Sequence, residues 1–182
     1  MWKPLMNMGA IIAAGLILPN LFIYLMGKTF DWYNLNILLQ IAVVTFGLYF
    51  GGKYIRDTFF GGYIEYGRIL GMSILILLFA SFIYAFYKYL LFGFFDPDLM
   101  ADYFNFMEEK VLEAQDNFLA LGMSEADVEK YTSPMLENMD KIREETTAMS
   151  LAQSEIFNIT FWGGLLSLIL CIFIKKKKGI FE

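Results

Sequence analysis

Four apolar runs, each near the length of a membrane crossing, constrain this chain more than any other feature of its sequence. They cover about residues 8–26, 35–50, 69–91 and 156–174. An α-helix rises about 1.5 Å per residue, so roughly 20 residues cross a hydrocarbon core of about 30 Å. The runs show no alternation of polar and apolar residues, and a segment in lipid has to satisfy its own backbone groups. The sequence therefore predicts four transmembrane helices, the second of which needs Tyr33 and Tyr54 to reach the interfaces.

The first run is expected to be a retained helix rather than a cleaved signal peptide. Its flank carries only Lys3, and its apolar stretch is longer than the hydrophobic region of a usual signal peptide.

The composition agrees with a membrane protein and limits the chemistry. Of 182 residues, 58% are hydrophobic and 18% are charged, against about 45–50% and about 25% in soluble domains. The chain has no His and one Cys, Cys171, which excludes an imidazole base, a Ser-His-Asp triad and an internal disulfide. No carboxylate pair is marked as lying in a cleft, and no acidic residues have the loop spacing of calcium ligands. We therefore expect no enzyme activity, no cofactor and no metal site. The one lysine run is too short to indicate nucleic-acid binding, which is not expected either.

The charges are divided between two parts of the chain. Residues 96–155 hold 15 acidic and 4 basic residues, a net charge of −11, and the rest holds 4 acidic and 10 basic residues, a net charge of +6. With four spans, the basic flanks fall on one side of the membrane, which the positive-inside rule assigns to the cytoplasm. Both termini are then cytoplasmic, and residues 96–155 lie outside.

The outer segment has the pattern of a helical hairpin. Asp96-Pro97 is a good helix start, Gly122 is a good stop, and Ser124 with Asp127 begins a second helix. Ser133-Pro134 is expected to break or kink that second helix. A further helical stretch is then expected from Met135, running on into the fourth span. The predicted fold is all-α: an integral membrane four-helix bundle with a periplasmic α-helical hairpin between helices 3 and 4. Transmembrane helices 1–3 occupy residues 1–95, the hairpin occupies 96–155, and transmembrane helix 4 with its lysine-rich tail occupies 156–182.

Small residues and a few polar side chains are the candidate packing positions within the spans. Glycines let membrane helices approach closely, either within one chain or against another membrane protein. The candidate helix-packing residues are Gly47, Gly51, Gly67, Gly71, Gly163 and Gly164. Asn20 and Gln40 are expected to form hydrogen bonds across helices. Since no carboxylate lies in the middle of the four runs, coupled ion transport is not expected.

Two further sets of residues are candidates for interaction outside the spans. Met and Phe side chains on the hairpin pack the two legs together or meet a partner protein, because Met-rich surfaces adapt to protein ligands. The candidate partner-binding residues are Met100, Phe104, Met107, Met135 and Met139. The tail is expected to be a membrane anchor that meets anionic lipid. Its residues are Lys175, Lys176, Lys177 and Lys178.

The order of several short motifs resembles a known family. A Gly-Gly-x-Ile-x-Tyr-Gly entry at residues 61–67 is followed by Phe95-Asp96-Pro97-Asp98, Gly122-Met123-Ser124-Glu125 and Thr132-Ser133-Pro134. The chain resembles the small four-span inner-membrane proteins of Bacteroidota that form a domain of unknown function. The resemblance covers nearly the whole chain, apart from a longer and more polar stretch at 137–154. It implies the four-span architecture and a Gram-negative inner membrane, and it implies no catalytic residues.

These features favour a non-catalytic accessory or scaffold subunit of a larger inner-membrane complex. Its partners would be other inner-membrane proteins and membrane lipid. The alternative is a small transporter or lipid-handling protein with a groove near Pro19-Asn20 and Gln40.

Overall fold

The computed structural model describes residues 2–176, and over this range the chain is helical, which confirms the predicted all-α class. It contains α1 (Trp2–Leu25), α2 (Tyr33–Phe59), α3 (Tyr66–Leu90), a π-helix (Leu91–Phe95), α4 (Asp98–Ala120), α5 (Glu125–Glu145) and α6 (Ala148–Ile174). Four segments are long and apolar enough to cross a membrane: α1, α2, α3 together with the π-helix, and α6. The prediction of four spans is therefore confirmed by length and composition.

The second span is longer than the apolar run that marks it. The run covers about residues 35–50, whereas α2 has 27 residues and ends at Phe59. An apolar run marks only the length of a helix that suits the hydrocarbon core. Polar residues such as Lys53 and Arg56 continue the same helix beyond that length.

The chain divides into two compact units, and the first contains the four apolar helices. It consists of α1, α2, α3 up to Tyr87, and α6 from Ala152. Its core is built from fully buried aliphatic side chains of all four helices together with Tyr84. Antiparallel pairing of α1 with α2 is shown by the approach of Met8 to Gly51 and of Ile12 to Gly47.

Basic residues collect at one end of this first unit. An antiparallel bridge joins Ile64 to Lys176 through backbone hydrogen bonds of 2.9 and 3.1 Å. Arg56 donates a hydrogen bond of 2.9 Å from Nη1 to the carbonyl of Ile174 and thereby satisfies an orphan acceptor at the end of α6. The ends of α2 and α6 are therefore fixed to the loop that precedes α3. Lys3 lies at the same end, because α1 begins beside the end of α2.

The second unit, Lys88–Leu151, is built around two packed helices, α4 and α5. The turn between them has the hydrogen bonds of a Schellman motif, with Met123 N donating to the carbonyl of Phe118 and Gly122 N to that of Leu119. Gly122 has φ +88°, a conformation that a side chain disfavours. The predicted helix stop at Gly122 is confirmed.

The predicted helix starts of this unit are also confirmed. Ser124 is the N-cap of α5, and its Oγ accepts a hydrogen bond of 3.2 Å from Asp127 N. Asp96 Oδ1 accepts one of 3.3 Å from Leu99 N at the start of α4. These side chains satisfy backbone donors that the first turn leaves without partners.

The course of α5 differs from the sequence expectation in two ways. Pro134 lies inside a continuous Glu125–Glu145 helix, so the expected break at Ser133-Pro134 is wrong, while a kink there stays a prediction. Thr132 before it and Met139 after it are both at least partly buried, so packing holds the helix on either side. The helix also does not run on into the fourth span. It ends at Glu145. Thr147 caps α6 by accepting a hydrogen bond at Oγ1 from Ser150 N, while Ser150 Oγ accepts one from Thr147 N.

Candidate functional site

Three of the six candidate glycines form close contacts inside the first unit. A Cβ added to Gly47 would lie 2.5 Å from Ile12 Cγ1, and one on Gly163 would lie 2.7 Å from Leu77 Cδ2. A Cβ on Gly51 would lie 3.1 Å from Met8 Sδ. These distances show that glycine brings α2 close to α1 and α6 close to α3.

The other three candidate glycines face open space. A Cβ on Gly67, Gly71 or Gly164 would meet nothing within 4 Å among the residues that the structure describes. Packing within the chain therefore does not explain these positions. Gly67 and Gly71 are one helical turn apart, so they leave an exposed small-residue strip on α3.

Sequence reasoning missed three glycines that pack closely within the first unit. The tightest is Gly9, where a Cβ would lie 2.7 Å from Phe79 Cβ and 3.0 Å from the carbonyl oxygen of Ile76. Gly15 approaches Val43, and Gly52 approaches Ile174. Gly9 lacks a second glycine four residues away, but Ala13 at that position completes a small-residue pair, a signal that could have identified it.

Two amide side chains form hydrogen bonds between helices of the first unit, as expected. Asn20 Oδ1 on α1 accepts a bond of 2.9 Å from the Tyr87 hydroxyl on α3. Gln40 Nε2 on α2 donates one of 3.1 Å to the Tyr84 hydroxyl. One turn before Gln40, Asn36 Oδ1 is buried and accepts no hydrogen bond from any described residue. The two tyrosines were not singled out from the sequence.

The fourth apolar helix carries a charge that the sequence analysis placed outside it. Because α6 begins at Ala148, Glu155 lies in its second turn rather than in a connection. Hydrogen-bonding distances of 3.3 Å between Ser81 Oγ and Thr160 Oγ1 and 3.7 Å between Ser73 Oγ and Cys171 Sγ set α3 and α6 antiparallel.

The five candidate partner-binding residues do not share one environment. Phe104 is only 5% exposed and packs beneath the Arg143 guanidinium, 5.9 Å from the ring centroid. Met100, Met107 and Met139 are partly buried. Packing between α4 and α5 therefore accounts for Phe104. A partner could reach its ring only through the small groove between these two helices.

Met135 belongs to an exposed apolar strip on α5. Its exposure is 55%, and Tyr131 and Ile142 on the same face are 60% and 53% exposed. A spacing of four and seven residues places the three on one side of a helix. Tyr131 was not singled out from the sequence, although this spacing could have identified it.

A small groove lies between α4 and α5. Its volume is about 40 Å³. The residues that line it are Phe104, Glu108, Leu136, Met139, Asp140 and Arg143. Two of the predicted partner-binding residues, Phe104 and Met139, therefore meet here, together with two carboxylates.

The described part of the lysine tail contacts aromatic rings. Lys175 Nζ lies 5.9 Å from the ring centroid of Tyr66, and Lys176 Nζ lies 5.1 Å from that of Tyr63. Such contacts are weak at exposed sites, about 0.5–1 kcal/mol. Lys177 and Lys178 lie outside the described residues.

The four apolar helices define the class of this chain as a multi-pass α-helical membrane protein. The chain belongs to the family described as "Protein of unknown function (DUF4199)", which matches it over residues 7–176. No curated protein and no solved structure matches the chain.

Proposed function

We propose that this protein is a non-catalytic accessory or scaffold subunit of a larger bacterial inner-membrane complex. The observation that carries the proposal is the exposed small-residue strip at Gly67 and Gly71, which none of residues 2–176 fills. Small residues at four-residue spacing permit close contact between membrane helices, so a helix of another protein fits this strip. The exposed strip formed by Tyr131, Met135 and Ile142 offers a second surface in the other unit.

In this proposal both termini are cytoplasmic and residues 96–155 are periplasmic. The support is the gathering of Lys53, Arg56, Arg68 and Lys176 around one end of the four apolar helices, together with the net charge of −11 in residues 96–155. Basic flanks remain on the cytoplasmic side. Reporter fusions after Asp116 and after Lys176 are expected to lie in opposite compartments, and a common compartment would refute this topology.

Purification in a mild detergent at native expression, followed by mass spectrometry, tests the scaffold role. We expect defined membrane proteins to co-purify with the wild-type chain and to be lost from the Gly67→Leu/Gly71→Leu variant. The matched control is Ile83→Phe, which enlarges another exposed position of α3. Recovery of the wild-type chain as a lone monomer would refute the proposal. If both variants lost the co-purifying proteins equally, the strip at Gly67 and Gly71 would not be the binding surface.

The alternative is a small transporter or lipid-handling protein, and one observation favours it. The buried Asn36 Oδ1 has no hydrogen-bond donor among the described residues, and a buried acceptor of this kind costs about 1–3 kcal/mol. A hydroxyl or amine of a bound lipid would satisfy it. Native mass spectrometry tests this idea, with a change at the exposed Asn34 as the control. The idea is supported if wild type and Asn34→Leu retain lipid and Asn36→Leu loses it. Identical lipid retention in all three would exclude it.

A further inference from the structure

The groove between α4 and α5 combines an apolar floor with two carboxylates. Phe104, Leu136 and Met139 supply apolar surface, and Glu108 and Asp140 are exposed at its edge. Its volume of about 40 Å³ exceeds the roughly 10–15 Å³ that one water needs, but it is far below the ~300 Å³ of a small-molecule pocket. The groove therefore accepts the end of one side chain rather than a whole small molecule.

The two carboxylates have no cationic partner within the residues that the structure describes. The ion pairs found there join other residues, and neither Glu108 nor Asp140 takes part in them. Arg143 also lines the groove, but its guanidinium hydrogen-bonds to Asn105 Oδ1 and lies over the Phe104 ring. The groove thus contains two negative charges and one positive charge. The Arg143 guanidinium contacts Asn105 and Phe104 and forms no ion pair with either carboxylate among the described residues.

Together these features define the chemistry of a ligand. A long basic side chain places its methylene stem on apolar surface and keeps its charged head at a polar edge. A guanidinium or ammonium group forms charge-assisted hydrogen bonds with carboxylates that are stronger than neutral ones. The net charge of −11 in residues 96–155 attracts such a group from a distance of up to about one Debye length, roughly 8 Å at physiological salt.

We propose that this groove binds a lysine or arginine side chain presented by a partner protein. The inference rests on the proposed scaffold function and specifies the partner as one with a basic surface segment. A second copy of this chain fits poorly, because its own α4–α5 surface is acidic. A divalent cation fits poorly too, because two carboxylates fall short of the six or more oxygen ligands that calcium takes.

Methyl NMR on the full chain in nanodiscs of neutral phosphatidylcholine tests the proposal. The reporter is the methyl resonance of Met139, assigned by its disappearance in Met139→Leu. The probes are an alanine-based helical peptide with two arginines four residues apart and the same peptide with glutamates. We expect the arginine peptide to shift the Met139 resonance and the glutamate peptide to leave it unchanged.

Charge-neutral variants show whether the groove itself is responsible. Glu108→Gln/Asp140→Asn keeps the shape of the groove, and Glu109→Gln/Asp116→Asn removes the same charge from α4 outside it. We expect the apparent Kd of the arginine peptide to rise about five- to tenfold in the groove variant, the effect of losing two exposed ion pairs, and less than twofold in the control. Circular dichroism establishes that both variants are folded.

The outcomes separate this inference from the proposed function. The proposal for the groove is overturned if the Met139 resonance does not shift, or if the groove variant and the control variant lose affinity equally. This holds even if membrane proteins still co-purify with the wild-type chain. A shift caused instead by adding anionic phosphatidylglycerol to the nanodisc would assign the surface to lipid and overturn it as well. A lone wild-type monomer at native expression removes the proposed function and this inference together.

Discussion

The four apolar helices and the α4–α5 pair are stabilised by different means. In the first unit, helices touch at glycines such as Gly9 and Gly47, and large side chains such as Tyr84 are completely buried. In the second unit, α5 has only Val128 and Thr132 fully buried, and much of its apolar surface is exposed. The boundary between α4 and α5, however, is defined by Gly122 and by the Ser124 side-chain cap.

This difference shows which part of the sequence controls each unit. Residues that are far apart in the chain determine the packing of the first unit, so a change at one helix is felt by another. Neighbouring residues determine the boundaries of α4 and α5. Tertiary contacts should therefore dominate stability in the first unit, and capping should have a larger share in the second.

The largest effect is expected for Gly9→Ala. The new Cβ would meet the backbone carbonyl of Ile76 at 3.0 Å, which a side-chain movement does not relieve. Overpacking of this kind costs about 1–3 kcal/mol in the free energy of unfolding. Reversible denaturation in mixed micelles measures it. Gly71→Ala, which meets nothing, is the control, and an equal loss there would contradict the close contact.

The next effect is expected at the turn between α4 and α5. Gly122→Ala places a side chain at φ +88°, and Ser124→Ala removes the N-cap of α5. Each change is expected to lower the local stability of α5 by about 1 kcal/mol. Hydrogen exchange of the α5 amides detects the loss, while the amides of α1 to α3 serve as the internal reference. Unchanged protection of α5 would show that packing against α4, rather than capping, maintains it.

A smaller effect is expected for the hydrogen bond between Asn20 and Tyr87. A double-mutant cycle with Asn20→Leu and Tyr87→Phe should give a coupling of about 0.6 kcal/mol, the average for hydrogen bonds between membrane helices. The same cycle with Asn20→Leu and Tyr84→Phe is the comparison, because Tyr84 bonds to Gln40 instead. Similar couplings in the two cycles would indicate a general rearrangement rather than a single bond.

The smallest effect concerns pH and a surface ion pair of α4. The hydrogen bond to the Glu113 carboxylate raises the pKa of Lys110 above its ordinary value of 10.5. A group with a raised folded-state pKa stabilises fully below its ordinary pKa, and its contribution is lost as the pH rises through the raised value. The unfolding temperature, measured from about pH 9 to about pH 12 on either side of that ordinary pKa, should therefore fall slightly more in wild type than in Lys110→Met. Lys130→Met is the control, and parallel curves for all three proteins would eliminate the effect.

Features that depend on neighbouring residues were predictable from the sequence. Run length predicts the four spans, and Ser124 with Asp127 predicts the start of α5, because a capping side chain reaches a donor three residues away. The same rule applied to Thr147 and Ser150 identifies the boundary before α6, which the expectation of one unbroken helix overlooked. The break expected at Pro134 is absent, because the helix continues through it and has buried or partly buried side chains on both sides.

Features that depend on distant residues were not predictable from one sequence. Gly47 and Gly71 look alike in the sequence, yet one meets Ile12 and the other meets nothing. The difference lies in the rotation of each helix about its axis, which the partner helix determines. For the same reason, the carboxylates Glu108 and Asp140 read as ordinary surface residues until α4 and α5 are paired.

The position of the single thiol has a practical consequence. Cys171 is fully buried against Ser73 on α3, so reagents such as maleimides should not reach it in the native protein. A cysteine introduced by Asp116→Cys would then be the one reactive position of an otherwise unmodified chain. An impermeant probe applied to intact cells would report which side of the membrane α4 occupies, without any need to replace the native residue.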